Sequence, residues 1–280
     1  MRFHQSILGF KGGRYLKLAL GLCAASIVAY AWYEPPLPYP KAYGGTWMGY
    51  TLGTVAAGLV LLLLTLGMRK RSYRSNLGTV QEWTSAHVYL GLSVLLIATL
   101  HCAFEFGWNI HTYAYALLAT VVVSGIAGVT IYVRCPRLLT KNLGEDTLQT
   151  LALKIADLDR QCSELAMHLP DKANAAVRHA RRTRIGGGLV QRIAGNAVRC
   201  PTRVACEALR RFGADLAGQQ AAVHQQLVLA MTRRSALLDR ARRDLQLSAL
   251  LQGWLYFHVP LSFALLGALI THVVAVFYFR

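Results

Sequence analysis

Charge is the property this sequence has least of. Only 15% of its 280 residues are charged and 54% are hydrophobic, whereas a soluble domain carries about a quarter charged residues. Acidic groups are scarcer still, 13 against 30 Lys plus Arg, and the formal +17 is concentrated between the apolar runs. The six cysteines contain no C-x-x-C, so neither a zinc knuckle nor a thioredoxin-type centre is suggested. There is no C-x-x-C-H either, which argues against covalent haem attachment. Val133-Arg134-Cys135-Pro136 returns as Val198-Arg199-Cys200-Pro201, with Cys206 nearby. Free thiols in a reducing cytoplasm explain these better than an iron–sulfur role. No G-x-G-x-x-G dinucleotide fingerprint occurs.

What the sequence does have is apolar runs of roughly 20 residues, the length that crosses a bilayer. Five are expected: Leu16–Tyr33, Trp47–Met68, Thr84–Phe106, His111–Val133 and Gly253–Phe279. The first has a basic start (Arg2, Lys11, Arg14, Lys17) and an Ala29-Tyr30-Ala31 that looks like a cleavage site. Its apolar stretch exceeds a usual signal core, so a retained anchor is the expectation.

Orientation follows from basic residues near the span ends. The N-terminus is basic, and the next connection, EPPLPYPKAYGG, is nearly uncharged. Then comes the strongly basic RKRSYR, followed by EFGWNIH with no Lys or Arg, and a long arginine-rich segment after Val133. The alternation places the N-terminus in the cytoplasm, the C-terminus outside and residues 134–252 in the cytoplasm of a multi-pass inner-membrane protein. Trp47, Trp108, Tyr113 and Trp254 stand near span ends, as interfacial aromatics do.

Two stretches then stand out: HVYLGLSVLLIATLH, His87 to His101, and HVPLSFALLGALITH, His258 to His272. A polar residue inside a span is expensive and usually faces the bundle interior with a partner. In each stretch the histidines are fourteen residues apart, which returns to within roughly 40° of the same helix face and rises about 21 Å. The third and fifth spans both start in the cytoplasm, so the two helices run parallel. His87 then lies level with His258 near the inner surface, and His101 level with His272 near the outer one. Imidazole is a common axial ligand of haem iron, and bundle cores are a usual place for such cofactors. Two ligands per level would leave a zinc or copper shell short. Two b-type haems with bis-histidine ligation fit the pattern best. Gly91, Ser93, Ser262 and Gly267 are candidates for making room for a porphyrin.

In span order and spacing, His87, His101, His258 and His272 resemble the ligands of di-haem membrane cytochromes b, especially the ferric-reductase and NADPH-oxidase type. The likeness covers about Trp47 to Phe279 and is specific for haem but not for substrate. It implies paired histidines on the third and fifth membrane helices holding two stacked haems. That group's flavin and nicotinamide domain has no counterpart here, so the chain is expected to be the electron conduit alone.

Between Arg134 and Gly253, Leu148, Leu151, Ile155, Leu158, Cys162 and Leu165 alternate three and four apart, a coiled-coil seam. Gly144-Glu145-Asp146 supplies acidic residues at its start, and Pro170 ends it. From Ala214 to Ser248 a second pattern runs through Leu216, Val223, Leu227, Ala230, Leu237, Ala241 and Leu245 and should continue into the fifth span. The two are expected to pair as a hairpin. The basic, Gly-containing stretch between them, Arg178 to Arg203, reads as a loop or a short amphipathic helix. Its charge suits anionic lipid headgroups or an acidic redox partner. Nucleic acid ranks last, since no recognised module accompanies the charge.

The expected fold is therefore all-α: an integral membrane bundle of five spans, a haem-binding four-helix core plus an N-terminal helix, with a cytoplasmic helical-hairpin or coiled-coil insertion. Residues 1–46 form the anchor and an outer Pro-rich loop, 47–133 membrane helices two to four, 134–252 the basic hairpin and 253–280 the fifth helix. Arg69, Lys70, Arg71 and Arg74 are candidates for pairing with haem propionates, or are plain topology-setting charge. Glu105 and His111, in a polar loop beside His101, are candidates for taking a proton from a quinol; an interfacial turn explains them equally well. His4, His168, His179 and His224 need no special role. The leading expectation is a di-haem b-type cytochrome subunit carrying electrons across the cytoplasmic membrane, in a homo- or hetero-oligomer with redox partner proteins. A quinol-oxidising or ferric- or oxygen-reducing enzyme with its site at the outer loop is the alternative. A membrane scaffold or signalling protein acting through its hairpin is the alternative of another class.

Overall fold

A computed structural model describes residues 7–34, 44–71, 78–143, 146–183, 185–194, 200–213 and 216–278, and among them all regular structure is helical. A 3-10 turn (Ile7–Gly13) leads into α1 (Arg14–Trp32), followed by α2 (Trp47–Arg71), α3 (Val80–His101) and α4 (Ile110–Leu143). Four shorter helices come next: α5 (Leu148–Met167), α6 (Asp171–Arg181), α7 (Leu189–Ala194) and α8 (Pro201–Phe212). The last helix, α9, runs from Gly218 to Tyr278 without a break, through Pro260. Helices α1, α2, α3, α4 and α9 are long and apolar enough to cross a membrane. The Pro-rich connection over 35–43, Arg74, Gly144 and Glu145, Val198 and Arg199, and the chain ends bearing His4 and Phe279 lie outside the described residues.

The ends of α3 are set by local chemistry. Thr79 opens it with a reciprocal cap: the Glu82 amide donates to the Thr79 hydroxyl at 3.2 Å, and the Thr79 amide donates to the Glu82 carboxylate at 3.0 Å. Its other end corrects the expected span, which reached Phe106. The helix stops at His101 because Ala103 and Phe104 take positive φ, 50° and 62°, a left-handed conformation no helix continues through. Asn109 then caps α4 by accepting the Thr112 amide at 3.0 Å.

The chain divides into two compact units, residues 1–129 with 255–280, and residues 130–254. In the first, Leu52, Ala56 and Val60 recur every fourth residue on α2 and pack with Val94, Ile97 and Ala98 of α3, Leu118 of α4 and Leu265 of α9. Ser93, also interior, donates its hydroxyl to the Leu90 carbonyl at 2.8 Å, so its burial leaves no unmet donor. The outward side stays apolar: Leu61, Val123, Ile126, Phe263, Ile270 and Val274 are all exposed.

The second unit differs from the expected two-helix hairpin. Helices α6 and α8 enter the core, with Ala173, Val177 and Ala180 of α6 and Ala205 and Leu209 of α8 buried against Cys162 and Ala166 of α5 and Leu227 and Met231 of α9. Their buried stripes are short and interleaved with arginines, so the composition hid them. Full burial of a side chain such as Leu209 or Leu227 contributes roughly 1.5–3 kcal/mol. The seam of α5 is partly as expected: Leu151, Ile155 and Cys162 are buried, while Leu148 stays exposed. Its start is capped by Thr147 and Thr150, whose hydroxyls accept each other's amides, and Asp146 stands just before the cap, paired with Lys154 at 2.6 Å. On α9 the interior includes Arg234, a position no apolar pattern announces. Its Nε donates to Asp159 at 2.7 Å and its Nη1 to the Thr202 hydroxyl at 2.5 Å. His224 is buried too, bonded through Nε2 to the Leu209 carbonyl at 2.8 Å, a structural contact.

Candidate cofactor site

Helix α3 carries His87 and His101, and α9 carries His258 and His272. The first residue of each stretch meets the first of the other: the rings of His87 and His258 are 6.5 Å apart, centre to centre, at 66°. Those of His101 and His272 are 6.0 Å apart at 84°. Like meets like at both levels, so the two helices run the same way.

Each ring is held through Nδ1. His87 Nδ1 bonds the Leu63 carbonyl at 3.1 Å, and His101 Nδ1 the Gly49 carbonyl at 2.7 Å. A carbonyl only accepts, so in these two rings Nδ1 carries the proton, and in the neutral form the lone pair is at Nε2. Leu63 and Gly49 are themselves fourteen residues apart on α2. The antiparallel helix therefore repeats the histidine spacing in its backbone. On the α9 side, His258 Nδ1 meets the Ser124 hydroxyl at 2.7 Å and His272 Nδ1 meets Nδ1 of His111 at 2.6 Å.

Room for these rings comes from helices facing them. A Cβ on Gly53 of α2 would fall 2.8 Å from Cε1 of His101, whereas one on Gly125 of α4 would make an ordinary 3.6 Å contact with Cε1 of His258. Of the small residues expected to make room for a porphyrin, the two glycines stand beside open or loosely filled space. Beside Gly267 a Cβ would meet nothing within 4 Å, and beside Gly91 it would only touch Leu63 at 3.9 Å. Ser93 and Ser262 turn their hydroxyls back onto α3 and α9, to the Leu90 and His258 carbonyls, both at 2.8 Å.

The donor set can be tested against a metal. An imidazole nitrogen sits about 2 Å from a bound first-row metal, so two rings sharing one ion on opposite sides stand about 6 Å apart centre to centre. Both pairs have that separation. No cluster of three or more His, Cys, Asp or Glu able to hold a bare ion occurs among the described residues. Two imidazoles at one level suit a metal that brings its other ligands with it, as haem iron does. Beside His101 and His272 lies a cavity of about 940 Å³, at the upper end of the range for small-molecule sites. Gly53, Ala56, Ala57 and Ala98 line it.

Of the other candidates from the sequence, Glu105 and His111 line this cavity. Arg69 gives Nη2 to the Gly78 carbonyl, which ties it to the turn before α3. Lys70 lies close enough for its charge to act on both His87 and His258. Arg74 and the side chain of Arg71 lie outside the described residues. Ser124, Gly53, Gly125 and the carbonyls of Gly49 and Leu63 were not singled out in the sequence. Only the glycines left a trace there, and helix-borne glycines are too common in apolar spans to be diagnostic.

Compared with family models, with curated proteins and with solved structures, the chain matches none of them.

Proposed function

We propose that this chain is a di-haem b-type cytochrome subunit that carries electrons across a membrane, similar to the transmembrane part of ferric reductases and NADPH oxidases. The observation that carries the reading is the pair of imidazole couples on parallel helices, 6.5 Å and 6.0 Å between ring centres. His87 and His258 would hold one haem, and His101 and His272 the other. Haem supplies a one-electron carrier whose potential its ligands and surroundings set. The chain's own residues orient the rings through Nδ1, and the apolar helix faces exclude water from around them.

Membrane insertion is part of the proposal. It is supported by five long apolar helices and by the exposed Leu, Ile, Val and Phe on their outward sides, which only lipid or other subunits would cover. The basic residues of segment 134–252 support a cytoplasmic side for it, and the His101–His272 couple would then face outward. That segment would rest on anionic lipid or receive a redox partner protein. Lys70, with Arg69, is the candidate for a propionate at the inner couple.

A second reading adds catalysis at the outer end, the oxidation of a quinol or the reduction of ferric iron or oxygen. The cavity beside His101 and His272, which Glu105 and His111 also line, favours it.

Purified chain should give a b-type reduced-minus-oxidised spectrum with two haems per chain. His101→Ala should keep one. A preparation without that spectrum, or full haem content in His101→Ala, would sink the reading. Quinol-driven haem reduction unchanged in a Glu105→Gln, His111→Asn double variant would leave the relay and remove the enzyme.

A further inference from the structure

Three of the four histidines lean on neutral partners: two backbone carbonyls and the hydroxyl of Ser124. At Nδ1, His272 meets another imidazole, that of His111, at 2.6 Å between the two Nδ1 atoms and 4.6 Å between ring centres. His111 stands one residue into α4, just past the Asn109 cap, and is exposed. Its place is set by that cap and by the left-handed turn at Ala103 and Phe104 that brings the chain back from α3.

We infer that His111 is a positioning residue that takes the Nδ1 proton of His272 as a hydrogen bond and thereby makes the His101–His272 haem harder to reduce than its surroundings alone would. This rests on the di-haem reading above. Two Nδ1 atoms at 2.6 Å need one proton between them. If Nε2 of His272 binds iron, its Nδ1 carries the proton and Nδ1 of His111 accepts it, leaving the His111 proton on Nε2. An imidazole nitrogen is a better acceptor than an amide carbonyl or a hydroxyl. A stronger acceptor at the far nitrogen makes the ligand more basic, and a more basic ligand favours ferric over ferrous iron. The contact lies at the His101–His272 couple, so the effect is expected at that haem. It separates two sites whose ligands are otherwise alike.

Potentiometric titration of the purified, haem-loaded protein tests this, with the outer component identified as the one missing in His101→Ala. In His111→Leu the oxidised-to-reduced ratio of that component at a fixed potential should fall about tenfold, 59 mV for a one-electron couple, with the other component unmoved. Its low-spin ferric electron paramagnetic resonance signal should shift with it. His111→Asn, whose amide oxygen can stand near the place of Nδ1, should recover part of the shift. If His111→Leu sheds the haem, His111→Asn should retain it at an intermediate potential, and failure of Asn to restore either overturns the inference. So do two components that stay where they were in His111→Leu, or that move together. A wild-type chain with no haem removes the underlying reading instead, and is told apart because it needs no variant to appear.

Discussion

Gly53 and His101 occupy one another's space: a Cβ on Gly53 would stand 2.8 Å from Cε1 and 2.9 Å from Nδ1 of the imidazole. Neither atom is the far end of a flexible chain. The ring is pinned by its own bond to the Gly49 carbonyl, one helical turn away on the same helix. A side chain at position 53 therefore has to push either the ring or all of α2.

On the di-haem reading, Gly53→Ala should accordingly cost the haem of the His101–His272 couple and leave the other in place. Haem quantitation by pyridine haemochrome should fall by about half, with the residual spectrum that of the inner site. Gly267→Ala, where a Cβ meets nothing within 4 Å, is the matched control and should change nothing.

Ser124 is the counterpart at the other couple, with its hydroxyl 2.7 Å from His258 Nδ1 and 2.8 Å from the Val121 carbonyl. Ser124→Ala takes away the group that orients the ring. Loss of such a supporting bond typically weakens a metal site about 10–100-fold. On the same di-haem reading, haem transfer from the variant to an excess of apomyoglobin should be faster by about tenfold for one haem. Ser124→Thr, which keeps the hydroxyl, should behave as wild type.

In the second unit Arg234 is almost wholly buried, its side chain 2% exposed against 24% for Asp159. Removing one partner of a buried pair costs about 3–5 kcal/mol, and the partial exposure of Asp159 puts Arg234→Ala at about 3. Urea-dependent proteolysis should show cleavage within residues 146–254 at markedly lower urea. Pairing Arg234→Met with Asp159→Leu removes both charges and should recover most of the loss. A double variant as weak as the single one would point to the Thr202 contact instead.

Two buried thiols of that unit should separate by pH. Burial pushes the Cys162 thiol up to about 11, so at pH 8 roughly one molecule in a thousand carries the reactive thiolate. Burial also raises Cys200, but the Arg203 amide and the Arg242 guanidinium more than offset this and leave its thiol below the ordinary value. Both side chains are nearly inaccessible, at 0% and 3%, so access does not separate them. As pH rises in iodoacetamide, mass spectrometry should find Cys200 modified first. Equal onset at the two positions would contradict the assignment.

Much of this was legible along the chain. The lengths of the apolar runs and the interval of fourteen between histidines are one-dimensional quantities. Helix geometry converts them directly into a span and a shared face. The single crossing between the third and fifth spans made the two helices parallel, which required His87 to face His258 and His101 to face His272. The apolar pattern also carried α9 through Pro260, since its neighbours on both sides keep the helical periodicity.

Tertiary structure decided the rest. The carbonyls of Gly49 and Leu63 that fix two rings leave no mark in a sequence, because every residue has a carbonyl. Gly53 matters only through the ring that α3 presses against it. The core contributed by α6 and α8 is made of single buried residues among arginines, and becomes a core only when four helices close around it. Local periodicity settles where a side chain points on its own helix. The atom it meets there is settled by packing between helices far apart in the chain, and that is where these four histidines acquire their orientation.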